Sequence, residues 1–227
     1  MLPESSRPAM RRHDLAWLNA PGWQAAIDAA PSQHRPALED WRRNGWPAVV
    51  RRRDADAGAD EVCLGIPLPP DPASGAKVRI GLRSQRSHVA ISTPPLPLRA
   101  VPLQGELAAL DALTRPDATT ADISLHVYGS LAMQSLTGLT YVTPASDVDL
   151  LFYPTTGAQL DAGLALLAAH AQLIPLDGEI VFPDGGAVSW KEWLQAVANR
   201  SRVLVKNLDT VRLADPAQLR AMLEQRA

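Results

Sequence analysis

The chain has 227 residues, 46% of them hydrophobic and 20% charged, the proportions of a soluble globular protein long enough for one large domain or two small ones. A formal net charge of −2 gives no overall pull towards nucleic acid or an anionic membrane, so any anionic ligand has to be held by a local cluster. No apolar run is long enough to span a bilayer. Met1 to Asp14 lacks the apolar core of a signal peptide, and the single cysteine, Cys63, excludes an internal disulfide and points to a reducing cytoplasm.

In chain order, Arg11-Arg12-His13-Asp14 leads into Leu-Ala-Trp-Leu-Asn-Ala, and Pro21-Gly22 breaks the chain before a short helix over 23–30. A second helix is predicted over 35–44, with Leu38 and Trp41 on one face and Gly45 ending it. Strands are predicted over 47–52 and 62–66, joined by a polar loop. After a Pro/Gly-rich loop, short alternating strands over 77–82 and 88–91 read as a hairpin or meander. The proline-rich segment Ser92 to Leu103 is extended and marks the boundary between an N-terminal α+β domain, 1–100, and a second domain, 101–227. The tryptophans at 17, 23, 41 and 46 are read as core. Arg51, Arg52 and Arg53, with Lys77, Arg79, Arg83 and Arg86, have two readings: a charged sheet edge, or a patch for phosphate or an acidic partner. His13 is read mainly as structural or exposed, with a proton shuttle as the other reading.

In the second half, a helix is predicted over 105–113 and a strand over 123–128 that delivers Gly129-Ser130. A short helix follows and ends at Gly138. The strand 147–153 carries Asp147 and Asp149. Because side chains repeat with period two along a strand, both carboxylates leave the same face. Like charges that close require a cation between them or a shared proton, and oxygen-only ligands suit a hard divalent cation such as Mg²⁺. Gly129-Ser130, at a strand-to-helix turn, offers backbone N–H groups and a hydroxyl as a phosphate cradle. A cradle beside a carboxylate pair points to phosphoryl or nucleotidyl transfer. Further on come a helix over 159–171, a strand over 176–182 carrying Asp177 and Glu179, and its hairpin partner over 187–190. A helix over 190–198, a strand over 203–206 and a terminal helix over 215–225, with Asp215 as N-cap, complete the chain. The order implies an α+β fold, a mixed sheet with helices mainly on one face. Asp177 or Glu179 supplies a third acid, as ligand or as general base. Lys206, alone on an apolar strand, is either a triphosphate contact or a lysine snorkelling from a sheet edge.

The pattern hydrophobic-Gly-Ser, helix, Asp-hydrophobic-Asp resembles the nucleotidyltransferase superfamily that includes DNA polymerase β and kanamycin nucleotidyltransferase. That resemblance implies that Ser130 binds the outgoing phosphates and that the acids bind Mg²⁺. The segment between Ser130 and Asp147 is longer than the commonest form of the motif. With their flanks, YGSLAMQSLTGLTYVTPASDVDLLF, LDGEIVFPDGGAVSWKEW and VLVKN, together with RRHDLAWL, WPAVVRR, LGIPLP and KVRIGL, are similar to the malonate decarboxylase holo-acyl-carrier-protein synthase family, also called phosphoribosyl-dephospho-CoA transferase. The similarity runs from about Arg11 to Leu213 and includes the long loop.

This resemblance implies a magnesium-dependent cytoplasmic enzyme that uses 2′-(5″-triphosphoribosyl)-3′-dephospho-CoA as donor. A serine of the apo acyl carrier subunit of malonate decarboxylase would attack the phosphorus nearest the ribose, and pyrophosphate would leave. Asp147 and Asp149 would hold the metal, Gly129, Ser130 and Lys206 the phosphates, and the basic N-terminal domain would dock the carrier or the CoA moiety. Nucleic acid and membrane are not expected partners. Three other readings stand beside it: the equivalent citrate lyase maturation enzyme, a nucleotidyltransferase using a standard nucleotide, and a non-catalytic carrier-binding assembly factor.

Overall fold

A computed structural model describes residues 10–103, 105–114, 123–143 and 146–224. The chain forms two compact units that divide between Pro94 and Pro95, inside the proline-rich crossing.

The first unit is a five-stranded antiparallel sheet with two helices. Its elements are β1 (Leu15–Leu18), α1 (Ala20–Ala29), α2 (Arg35–Asn44), β2 (Ala48–Val50), β3 (Glu61–Pro67), β4 (Arg79–Gln85) and β5 (Val89–Thr93). The Asn19 side chain caps α1 by accepting from Gly22 N at 2.9 Å, and Pro21 sits in the first turn, where its missing N–H is not needed. Helix α2 spans the predicted residues, buries Leu38 and Trp41, and stops at Gly45 in the left-handed region. Trp23 and Trp41 are buried as read, while Trp17 and Trp46 are half-buried.

The strands over 79–85 and 89–93 do not form the predicted hairpin. The sheet order is β4-β3-β2-β1-β5, which puts them at opposite edges. The residues between them, Arg86–His88, form a 3-10 turn instead of a two-residue reversal, and β5 pairs with β1 from Leu15↔Thr93 to Leu18↔Val89. Several of the basic residues are used within this unit. Arg51 holds Asp54 at 2.5 and 2.8 Å, and Arg83 reaches Asp54 at 3.0 Å and Asp56 at 2.5 Å. The hydrogen bond from Arg51, with those from Arg83, keeps the Asp54 carboxyl far below the usual carboxylate range. These pairs fasten the loop after β2, whereas Lys77 and Arg79 stay exposed. His13 adopts a left-handed backbone (φ +71°) at the entry to β1, where its N–H donates to Val50 O at 2.8 Å.

The second unit contains β6 (Leu96–Pro97), α3 (Asp111–Thr114), β7 (Leu125–Val127), α4 (Gly129–Thr137), β8 (Val148–Phe152), α5 (Gly157–His170), β9 (Leu176–Val181), β10 (Ala187–Ser189), α6 (Trp190–Asn199), β11 (Val203–Lys206), β12 (Val211–Ala214) and α7 (Pro216–Glu224). The predicted helix over 105–113 is a 3-10 segment, Gly105–Leu110, running into the short α3. A three-residue spacing of leucines suits a 3-10 turn as well as an α-helical face. The edge strand β12 was not predicted. Its residues are largely exposed, with Leu213 at 59%, so no burial pattern marks it.

The seven strands form one mixed sheet, order β12-β11-β10-β9-β8-β7-β6. Only β8 and β9 run parallel, joined by the α5 crossover. Period-two alternation divides the sheet cleanly. Val148, Leu150 and Phe152 of β8, Ile180 of β9, Val188 of β10, and Val203 and Val205 of β11 face the main core. There they pack with Leu131 of α4, Leu160 and Leu164 of α5, Trp193 of α6 and Leu219 of α7. The intervening positions face the other way, around a small apolar patch of Leu151, Val181 and Ala187 flanked by Tyr128 and Tyr153. Helices therefore cover one face, as the sequence implies, and the acids lie on the face they leave open.

Gly178, midway between the two acids of β9, fixes the spacing of the central strands. Its φ is +143°, and a Cβ there would overlap the Leu150 carbonyl of β8. A glycine in a strand interior commonly marks such a close backbone approach. Gly178→Ala is expected to destabilise the protein by about 3 kcal/mol from backbone strain and overpacking together, measured by urea unfolding. A loss below about 1 kcal/mol would show that β8 and β9 separate without penalty.

Candidate active site

The residues singled out in the sequence meet at one end of the second unit's sheet. Strand β7 ends at Val127, where it is in register with Leu150 at the middle of β8. The start of β8 lies beside the start of β9, and the register Val148↔Leu176, Asp149↔Asp177 sets two acids on neighbouring positions of one face. Adjacent strands lie about 4.8 Å apart. On the far side of β9, Ser189 of β10 is in register with Glu179, and β10 then passes directly into α6 at Trp190-Lys191.

Helix α4 begins directly at this end. Tyr128, its N-cap residue, is extended, and its N–H donates to the Asp149 carbonyl at 3.1 Å. Gly129 then takes φ +65°, and a Cβ on it would overlap Oδ2 of Asp149. The absent side chain is what lets the Asp149 carboxylate lie against the helix start, a close approach that glycine alone permits without strain. Ser130 follows, half-buried, in the first turn. Gly129, Ser130 and Asp149 are thus brought together. Asp147 lies just before β8 and is exposed. By strand alternation it belongs to the same face as Asp149, and it makes no side-chain ion pair with another described residue.

The two acids of β9 differ. Asp177 is 46% exposed, and Lys191 Nζ stands 3.8 Å from it. Glu179 is buried, at 6% side-chain exposure, with Lys206 Nζ at 3.3 Å. Lys206, read as a triphosphate contact or a snorkelling lysine, therefore sits against Glu179. Asp147, Asp149, Asp177 and Glu179 together with Lys191 and Lys206 carry a formal surplus of two negative charges. Among the described residues no group of three or more His, Cys, Asp or Glu side chains forms a ready-made metal cage. Mg²⁺ does not require one: it is commonly held by one or two carboxylates, with substrate phosphates and water completing the shell. The donors available here are oxygens only, and Gly129 keeps the Asp149 carboxylate against a helix N-terminus, so the residues fit that mode of binding.

The long segment after α4 is held by a side chain that sequence reasoning passed over. Gln134 Oε1 accepts from Tyr141 N at 3.0 Å and Val142 N at 2.9 Å. Thr137 Oγ1 caps the turn at Leu139 N. Tyr141 is buried, and burial pushes its phenol pKa upward. His126 was also missed. It is in register with Leu151 on the open face, its ring stands 5.0 Å from that of Tyr153, and its buried Nδ1 has no hydrogen-bond partner among the described residues. Burial, aided by the charge of Arg99, holds the His126 pKa below its ordinary value. The place of His126 follows from alternation and register only once the strand pairing is known. A groove of about 930 Å³ lined by α5, α6 and α7 residues such as Leu164, Trp193 and Arg220 belongs to the helix-covered face, so it is no part of this constellation.

Two outcomes follow from this geometry. Gly129→Ala is expected to leave the fold intact, at a cost of about 1–2 kcal/mol for a left-handed alanine, while displacing Asp149 and lowering activity at least about 100-fold. Thermal unfolding beside an activity assay separates the two effects, and near-normal activity would remove Gly129 from the site. Because folded His126 binds a proton less readily than unfolded His126, stability should fall as pH drops below about 6.5. His126→Phe should flatten that part of the profile in urea titrations between pH 7 and 5; an unchanged slope would assign the loss to other groups.

Comparison with known proteins points to one family. Residues 94–217 match the family model of the phosphoribosyl-dephospho-CoA transferase MdcG C-terminal domain, and residues 11–95 match that of the MdcG N-terminal domain. A phosphoribosyl-dephospho-CoA transferase of Xanthomonas campestris pv. campestris (strain 8004) is 43% identical over 208 residues, covering 89% of this chain and 92% of the relative. Its counterpart in Xanthomonas axonopodis pv. citri (strain 306) is 39% identical over 213 residues, covering 92% and 95%. That of Bradyrhizobium diazoefficiens (strain USDA 110) is 38% identical over 212 residues, covering 91% of each. No solved structure matches the chain significantly. With both halves matched by family models and nine-tenths of the chain aligned to relatives of one name, the chain belongs to the phosphoribosyl-dephospho-CoA transferase family.

Proposed function

We propose that this chain transfers the 2′-(5″-phosphoribosyl)-3′-dephospho-CoA group from its 5″-triphosphate donor to a serine of the apo acyl carrier subunit of malonate decarboxylase. The observation that carries this reading, beyond family membership, is the seating of Asp149 against Gly129, which joins a carboxylate to a phosphate-binding helix start. The serine oxygen forms a bond to the phosphorus nearest the ribose, the bond from that phosphorus to the bridging oxygen breaks, and pyrophosphate departs with the bonding electrons. Such transfers depend mainly on positioning and charge neutralisation.

Each residue has a definable part in this reading. Asp147 and Asp149 hold Mg²⁺, which when bound neutralises phosphate charge and polarises the attacked phosphorus. Ser130 and the N–H groups at the start of α4 receive the departing pyrophosphate. Asp177, half-exposed and beside Asp149, is better placed than buried Glu179 to accept the serine proton or to add a ligand. Glu179 instead holds Lys206, whose half-exposed ammonium faces the donor phosphates. In the first unit, exposed Lys77 and Arg79 suit an acidic carrier surface. The buried thiol of Cys63, free of any disulfide, is in keeping with a cytoplasmic site of action.

The test is intact mass spectrometry of apo carrier incubated with donor, Mg²⁺ and protein. Wild type should add the mass of the prosthetic group and release one pyrophosphate per carrier, and EDTA should stop it. Asp147→Asn and Asp149→Asn should fold normally and slow transfer at least about 1,000-fold, equivalent to about 4 kcal/mol of transition-state stabilisation. Ser130→Ala should mainly raise the KM for donor. Labelling at the wild-type rate by either Asp variant would end the metal assignment. Incorporation from ATP instead of the CoA-derived donor would favour a nucleotidyltransferase of ordinary nucleotides.

A further inference from the structure

Lys191 is a charged residue at this end of the sheet to which neither motif nor resemblance gives a role. It is the second residue of α6, where the exposed N–H groups of a helix carry partial positive charge and a cation is disfavoured. Its nearest anion, Asp177, is 3.8 Å away, with both side chains close to half-exposed; pairs of that kind contribute little to stability. Its ammonium also lies 5.6 Å from the Trp190 ring centroid, within range of a weak cation–π attraction. A cation placed against the helix dipole, with so little gained from its fold contacts, is explained more simply by an anion that arrives with the substrate.

The position of Lys191 says which anion. Gly129 and Ser130 adjoin Asp149 from the β7 side, and Lys191 closes the same row from the β10 side, beyond Asp177. Asp177 thus has Asp149 in register on one side and the Lys191 ammonium on the other. The donor carries two polyphosphate groups: the triphosphate on its added ribose, and the diphosphate that links adenosine to pantetheine. With the first directed to the start of α4, the second is the group left for the opposite end. We propose that Lys191 binds the adenosine-side diphosphate of the donor and thereby sets its orientation across Asp149 and Asp177. This inference rests on the transferase reading above.

The experiment compares full-length wild type with Lys191→Met and Lys191→Arg. Isothermal titration with 3′-dephospho-CoA and, separately, with inorganic pyrophosphate reads binding without turnover. Lys191→Met should weaken dephospho-CoA about tenfold, the loss of one charge-assisted contact, and leave pyrophosphate affinity unchanged. Lys191→Arg should retain most of the affinity. In steady state the KM for donor should rise about tenfold, with the KM for carrier within about twofold of wild type. Equal dephospho-CoA affinity in wild type and Lys191→Met, or no dephospho-CoA binding by wild type, overturns the proposal, as does a loss confined to pyrophosphate or a rise in the carrier KM instead. Because the lysine contributes so little to the fold, the melting temperature of the variants should match wild type and serves as the folding control. Failure of wild type itself to modify the carrier would instead overturn the transferase reading.

Discussion

The approach of Asp149 to the backbone of Gly129 is the contact on which the site depends. A carboxylate in the middle of a sheet face and a helix start on the neighbouring strand would ordinarily be kept apart by one Cβ. Removing that atom allows the acid to lie against the helix N-terminus, where a negative charge is favoured. Everything else at this end of the sheet is arranged around that pair. Strand β9 brings Asp177 into register beside Asp149, Gly178 lets the two strands close up, and Glu179 is driven inward to meet Lys206.

The helices make this possible by crowding the other face. With α4, α5, α6 and α7 packed over β8, β9, β10 and β11, nearly all the apolar surface of the unit is spent on one side. The opposite side keeps only a patch of Leu151, Val181 and Ala187 and is otherwise free to carry charge. The same division explains why the groove between α5, α6 and α7 lies on the face away from the acids. A flat, acidic strand end suits an extended polyanion bound together with a cation better than it suits a compact apolar ligand.

Much of this was legible in the residues. Helix α2, the strands that carry the acids, the glycine stops at Gly45 and Gly138, and the placing of helices on one face all follow from periodicity and cap chemistry. The errors have physical causes. The strands at 79–85 and 89–93 alternate as hairpin strands do, but only the pairing of β5 with β1 decides that they lie at opposite edges. The leucines at 107, 110 and 113 satisfy a 3-10 segment and an α-helix alike. Among the basic residues, Arg51 and Arg83 turned out to be bound by Asp54 and Asp56, partners that a charge pattern alone does not single out.

By itself the sequence determined the chemistry offered: oxygen-only acids two apart on a strand, and a glycine and a serine at a strand-to-helix turn. It also placed the chain in its family, because those residues and their flanks are carried in the linear order of the chain. Tertiary structure decided which groups meet. Lys206 faces Glu179 and Lys191 faces Asp177, across 27 and 14 residues of chain respectively. The first is set by strand register and the second by the passage of β10 into α6, and both emerge only when the sheet buries one face against its helices.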